Sequence, residues 1–378
     1  MNEKNEACVR ARRGNVGGQA LVEGVMMKSK RYTAIAVRRM DNKKISVSRK
    51  TNSSLADRYK FCRLPLIRGV VNFAETMALS FSTITAASDM LGLEATAEEG
   101  SKFDKWLEKH LGKWILPVMT AISVVLGVLL SVALFIWLPT FVCNLIFGEK
   151  LSGGDFSSGV WRSLVEGVLK VLIFVLYLWL TGLIPDMKRV YQYHGAEHKS
   201  IFCYENGLEL NVENVKKQSR FHPRCGTSFM FAMIFLSIFI AIAFLWPVQN
   251  VWLRSLLKLL LLPLNVGIGY EFIRYAGRHD NAFVRIVSQP GLWMQRLTTR
   301  EPDAEIIEVG IAALKCALPD DFPEAYEEYL EAMKPQEEAP AEEAPAEEAP
   351  AEEAPAEENG EPGEAVEEAG IEASRIQE

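Results

Sequence analysis

WILPVMTAISVVLGVLLSVALFIWLPTFVCNLIFG, residues 114–148, contains no Asp, Glu, Lys, Arg or His. A hydrocarbon core of ~30 Å needs ~20 helical residues at ~1.5 Å each, so this run can cross a membrane once. Pro139 is expected to end or kink it. The same reasoning makes Gly167 to Pro185 a second span, with Lys170 snorkelling towards the headgroups. Residues 229–247, inside the uncharged stretch from Gly226 to Leu253, are a third. Residues 255–273 are a fourth, interrupted by Pro263, Gly267 and Gly269. The fold class is therefore mainly α, a polytopic membrane protein with about four transmembrane helices.

Charge bias orients these spans. Arg10 to Arg68 holds sixteen Lys and Arg against three acids. The loop 186–228 carries Lys188, Arg189, Lys199, Lys216, Lys217, Arg220 and Arg224, and Arg274, Arg278, Arg285, Arg296 and Arg300 follow the fourth span. All three regions read as cytoplasmic, with outer loops at 149–166 and 247–254, so both termini are expected inside. Residues 69–113 contain the moderately apolar stretch from Gly69 to Leu91. A span there would turn the basic loop outwards, so the segment is expected to be an amphipathic, interfacial helix.

Outside the spans, residues 1–68 form a basic region with strand character. Tyr32 to Arg38 and Lys44 to Arg49 alternate around Asp41-Asn42, which predicts a hairpin, and Gly17 to Gly24 predicts a turn into a strand. Within 274–334, Asp303 to Leu318 and Pro323 to Met333 predict helices. Residues 335–378 repeat Glu-Glu-Ala-Pro-Ala and hold 16 of the 48 acidic residues with one base, Arg375. Such a tail is expected to be disordered and available to a protein partner. Without it the chain has 40 basic and 32 acidic residues, a net charge of +8. With few aromatics in the basic N-terminal region, anionic lipid headgroups are the expected partner and nucleic acid is not. The first thirty residues have no apolar core, so no cleavable signal peptide is expected, and six cysteines without a CxxC pair suit a reducing compartment.

The chemistry concentrates at His194-Gly-Ala-Glu-His198. Met187, Val190 and Ile201 share a helical stripe with His194 and Glu197, predicting a helix from Asp186 to Asn206 that Gly207 stops. One turn separates the imidazoles, so they can ligate one ion while Glu197 acts as general base. His222 and Cys225 follow as HxxC. His222, Cys225 or Glu271 can supply a third ligand to a divalent metal, with zinc the default for such donors. Arg224 is a candidate to steady an anionic intermediate, and Glu23, in an apolar strand, is a further candidate. Three readings compete with a metal-dependent hydrolase. One is a hydrogen-bonded histidine core. Another is a scaffold with a closed structural site of His194, His198, His222 and Cys225. The third is a transporter, prompted by Asn265, Glu271 and the broken fourth span. Glu271 has Arg274 as its simplest partner.

Five stretches, GGQALVEGVMMK (17–28), LPLIRGVV (64–71), PDMKRVYQYHGAEHKSI (185–201), ENVKKQSRFHPRCGTSF (213–229) and PGLWMQRLTTREPD (290–303), resemble the bacterial YqhQ-like family. The resemblance runs from Gly17 to Leu318 and leaves out the acidic tail. It implies a multi-pass protein of the bacterial plasma membrane, in a family of unknown function described as predicted metal-dependent enzymes. It also implies that His194, Glu197, His198, His222 and Cys225 work as one cluster, and it implies no particular substrate.

Overall fold

The computed structural model describes Gly14, residues 16–91, 115–148, 155–276, 279 and 281–333. The expectations for the acidic tail, and for much of 92–114 and 149–154, lie outside the described residues. The described chain is mainly helical, with one small antiparallel sheet near its N-terminus.

The sheet is a meander in the order β1 (Val16–Leu21), β2 (Gly24–Ser29), β3 (Tyr32–Arg38) and β4 (Ile45–Thr51). The hairpin around Asp41-Asn42 forms between β3 and β4. Residues 17–21 are not a turn into a strand but a strand themselves, and Val22-Glu23 makes the two-residue turn, with Glu23 at φ +52°. Period-two alternation gives the sheet two apolar faces. Val25, Met27, Ala34 and Ala36 enter one core, whereas Met26, Ile35 and Val37 enter a second core on the other face.

Against the second face lies α1 (Ile67–Met90), which contributes Ala87 while Phe73, Phe81 and Ile84 stay exposed. The other face is covered by α5 (Pro185–Glu205), α10 (Ala304–Ala317) and α11 (Ala325–Met333), with Tyr193, Ile201, Ile307 and Leu314 buried between them. At the start of α10 the Asp303 side chain accepts from the Ile306 N–H at 2.9 Å, meeting a donor the helix leaves free.

The long apolar run forms α2 (Ile115–Val132) and α3 (Leu138–Phe147), joined without a break by a π turn at Ala133–Trp137. Pro139 falls just after that turn, where the wider hydrogen-bond spacing takes up its missing donor, so the helix continues through it. Next, α4 (Phe156–Thr181) starts well before residue 167. This start brings the charge of Arg162 and Glu166, expected in the outer loop 149–166, into the helix. The fold neutralises it, because buried Glu166 accepts from Arg162 at 3.2 Å, from Arg254 at 2.9 Å and from Lys258 at 2.7 Å. The apolar α6 (Gly226–Leu245) follows, then α7 (Val251–Leu260) and α8 (Leu262–Ala276), which meet at a bend of 44°. That bend falls beside Pro263. Among the described residues two helical stretches, Val118–Phe147 and Phe156–Thr181, are long and apolar enough to cross a membrane, or three if the bent pair is one span. Finally α9 (Ala282–Thr298) lays Met294 against Phe174, Leu178 and Phe231 and leaves Trp293 exposed.

A candidate metal centre

Helix α5 carries HGAEH between the sheet, α10 and the segment after α9, and the small residues of the motif permit that crowding. A Cβ on Gly195 would collide with the Arg300 carbonyl oxygen. Fully buried Ala196 faces Gly310, whose own Cβ would come 3.3 Å from the Ala196 carbonyl oxygen. From the sheet side, a Cβ on Gly18 of β1 would stand 2.8 Å from the Glu197 carboxylate, so only glycine lets β1 approach it.

The two imidazoles stack one turn apart, with ring centroids separated by 4.4 Å. Each pins its Nδ1–H on a backbone carbonyl: His194 donates to Thr298 at 2.8 Å and His198 to Arg220 at 2.5 Å. This leaves both Nε2 lone pairs for the site, the arrangement that metal-binding histidines use to fix tautomer and orientation. Cys225 stands at the N-cap of α6 with its Sγ 3.2 Å from His194 Nε2. His194, His198 and Cys225 each offer an atom within 4.8 Å of the others. Buried His198 Nε2 and Glu197 Oε2 have no hydrogen-bond partner among the described residues. Two nitrogens and a sulfur suit a borderline-soft divalent ion such as zinc, and unsatisfied buried acceptors are what such an ion would satisfy.

Electrostatics point the same way. Burial works against a charged Cys225, yet the hydrogen bond with His194 and the nearby His198 imidazole outweigh it and hold the thiol well below its ordinary range. Burial likewise opposes a charged His194, but its contact with Cys225 lifts it to about 9. His194 Nε2 and Cys225 Sγ share a proton at 3.2 Å, and a metal would take its place. Burial pushes the Glu197 carboxyl up, partly offset by His194 and His198.

The remaining candidates fall elsewhere. His222 is buried beside His198, at 5.7 Å between ring centroids, but its Nε2 faces Glu205 Oε2 at 3.6 Å, outside the three-residue group. Burial drives this imidazole towards its neutral form. Arg224 does not point at the cluster: its guanidinium meets both Glu205 oxygens at 2.5 Å. Glu271 is paired with Arg68 of α1 rather than with Arg274, with Nε to Oε1 at 2.5 Å. That pairing ties α8 to α1 and takes the carboxylate away from a ligand role. Glu23 binds the Arg189 guanidinium and accepts from the Tyr193 hydroxyl at 3.2 Å, so it clamps the sheet to α5 immediately before the motif.

Two supporting residues escaped the reading of the sequence. Fully buried Gln295 of α9 accepts from the His222 N–H at 2.8 Å and donates to the His222 carbonyl at 2.7 Å. It thereby holds the loop between Arg220 and Cys225 like a paired strand. Buried Glu205 gathers Arg224, His222 and the Gly14 N–H. A polar residue in an otherwise apolar helix face was the available signal for Gln295, whereas Glu205 at a helix end offered none.

A mainly helical chain with long apolar helices and a small N-terminal sheet, gathering two histidines and a cysteine, is the class that this geometry defines. The chain belongs to the family described as "Protein of unknown function (DUF1385)", whose model matches residues 64–320. A Bacillus subtilis (strain 168) protein named "Uncharacterized protein YqhQ" is 34% identical to it over 298 residues, 78% of this chain and 89% of that protein. The YqhQ-like resemblance thus holds over most of the chain. No solved structure matches it.

Proposed function

We propose that this chain is a metal-dependent enzyme of the bacterial plasma membrane, a hydrolase whose site lies at the cytoplasmic interface. The observation that supports it most is the pair of imidazoles with Nδ1 tied to carbonyls and Nε2 turned to Cys225, next to a buried carboxylate oxygen without a partner. His194, His198 and Cys225 hold the ion. Three protein donors leave a coordination position for substrate, which a closed structural site would not. When bound, the metal supplies Lewis-acid polarisation of the scissile group and eases deprotonation of the attacking water. Glu197, whose buried Oε2 has no partner among the described residues, would take that proton. In this reading α2 with α3, α4, α6, and α7 with α8 make four crossings, and the basic segments on both sides of them stay inside.

Metal analysis of the detergent-purified chain tests the proposal. One equivalent of zinc or another divalent ion is expected in the wild type and a loss in His194→Ala, His198→Ala and Cys225→Ala. No metal in the wild type rejects it. The scaffold reading makes a distinct demand, that His222 leave Glu205 and become a fourth ligand. X-ray absorption showing four protein ligands and no solvent ligand would establish that alternative.

A further inference from the structure

A cavity of about 380 Å³ lies between α4, α6 and α9, lined by Val171, Val175, Phe231, Pro290, Trp293 and Met294. Among the described residues Gln289 alone adds a polar side chain to this lining, so the wall is almost wholly apolar. Its size falls within the ~300–1,000 Å³ of small-molecule sites. Two helices carry it to the metal centre. On α9, Met294 is one turn before Thr298, whose carbonyl holds His194. On α6, Phe231 is six residues, roughly 9 Å of helix, beyond Cys225. The metal centre holds buried polar atoms without partners among the described residues, Glu197 Oε2 and His198 Nε2, with Thr298 Oγ1 at the end of α9.

The cavity also borders the surface that would face lipid. Helix α4 is apolar enough to cross a membrane and exposes Leu172, Leu176 and Trp179 beside the lining valines. Trp293, which lines the cavity, is 60% exposed, and an indole at such a mouth suits the boundary between headgroups and chains. The cavity is apolar and open beside a candidate span, and its lining lies one turn of α9 and ~9 Å of α6 from the metal centre.

We infer that the cavity binds the hydrocarbon chain of a membrane lipid and presents its polar head to His194, His198 and Cys225. The substrate class is thereby an acyl-chain amphiphile drawn from the bilayer. This rests on the metal-enzyme reading for the head and on the cavity alone for the chain.

The test is photo-crosslinking of the full chain, reconstituted in vesicles of phosphatidylcholine and phosphatidylglycerol, with phosphatidylglycerol carrying a diazirine near the end of one acyl chain. Adducts mapped by mass spectrometry should fall on residues 289–294 and 171–175 several-fold above those on the exposed Val125, Leu126 and Val128 of α2. Unlabelled lipid should compete them away. Val175→Trp, which fills the slot, should abolish them while the metal content stays at the wild-type level; if that variant misfolds, Val171→Phe replaces it. His198→Ala should lose metal and keep the adducts. A second arm uses a diazirine fatty acid, and stronger saturable labelling there would assign the chain to a free acid instead of a phospholipid. Labelling no stronger than on α2, or unchanged by the filled slot, overturns the inference. Metal-loaded protein without cavity labelling removes the lipid inference alone, and labelled protein without metal removes the metal reading alone.

Discussion

Glu197 is the residue on which chemistry and support separate most cleanly. It neighbours both imidazoles in the motif, yet the three candidate ligand atoms come from His194, His198 and Cys225. Glu197→Gln should therefore keep the metal and lose function, by the ~10²–10⁴-fold that a general base contributes. Metal content measured beside complementation of a strain depleted of the chain checks this, and full complementation would remove Glu197 from catalysis. Glu205 gives a pH-dependent counterpart. Burial opposes its charge, but His222, the Gly14 N–H and Arg224 together hold its carboxyl below its ordinary value of 4.5. Its contribution to stability is therefore fully present above pH 4.5 and fades as pH falls below that through the lower folded value. Thermal melts in detergent should show Glu205→Gln losing stability at pH 7 and depending less on pH below 4.5 than the wild type. The HxxEH stripe was legible because helical spacing alone puts His194 and His198 on one face. The choice of Cys225 over His222 was not legible, since both stand in one short loop and only its folded course decides which side chain turns inwards.

At the scale of elements, the site depends on how closely α5 meets its neighbours. Gly195→Ala drives a methyl into the Arg300 carbonyl, and overpacking of this kind costs about 1–3 kcal/mol. A lower melting temperature together with reduced metal occupancy is expected, because the same segment supplies the Thr298 carbonyl to His194. Gln295→Ala removes both clamps on His222 and leaves buried backbone groups unpaired, at about 1–3 kcal/mol for each unsatisfied group. Hydrogen exchange should then rise across residues 220–225, and an unchanged pattern there would contradict the clamp. Helix identity was mostly readable from composition, as α5, α10 and α11 illustrate. The start of α4 was not, because the partners of Arg162 and Glu166 within the fold include Arg254 and Lys258 of a distant helix.

Across the whole molecule, buried or partly buried ion pairs tie distant helices together. One is the buried cluster on Glu166, and Glu166→Gln strands Arg162, Arg254 and Lys258 without their counter-charge. Breaking a buried ion pair costs about 3–5 kcal/mol. The variant should purify as aggregate or unfold at markedly lower temperature, and a wild-type melt would show that the cluster is not structural. Another is Arg68 with Glu271, which connects α1 to α8. Uncharged run lengths, the His194–His198 spacing, the basic flanks of the apolar runs and the hairpin around Asp41-Asn42 were all in the sequence, because each depends on neighbours a few residues apart. The tertiary structure alone decided that Cys225 joins the histidines, that Gln295 and Glu205 brace the loop, and that charges at 162 and 166 belong inside a helix. Those outcomes depend on contacts between residues 19 to 92 positions apart, which no local period encodes.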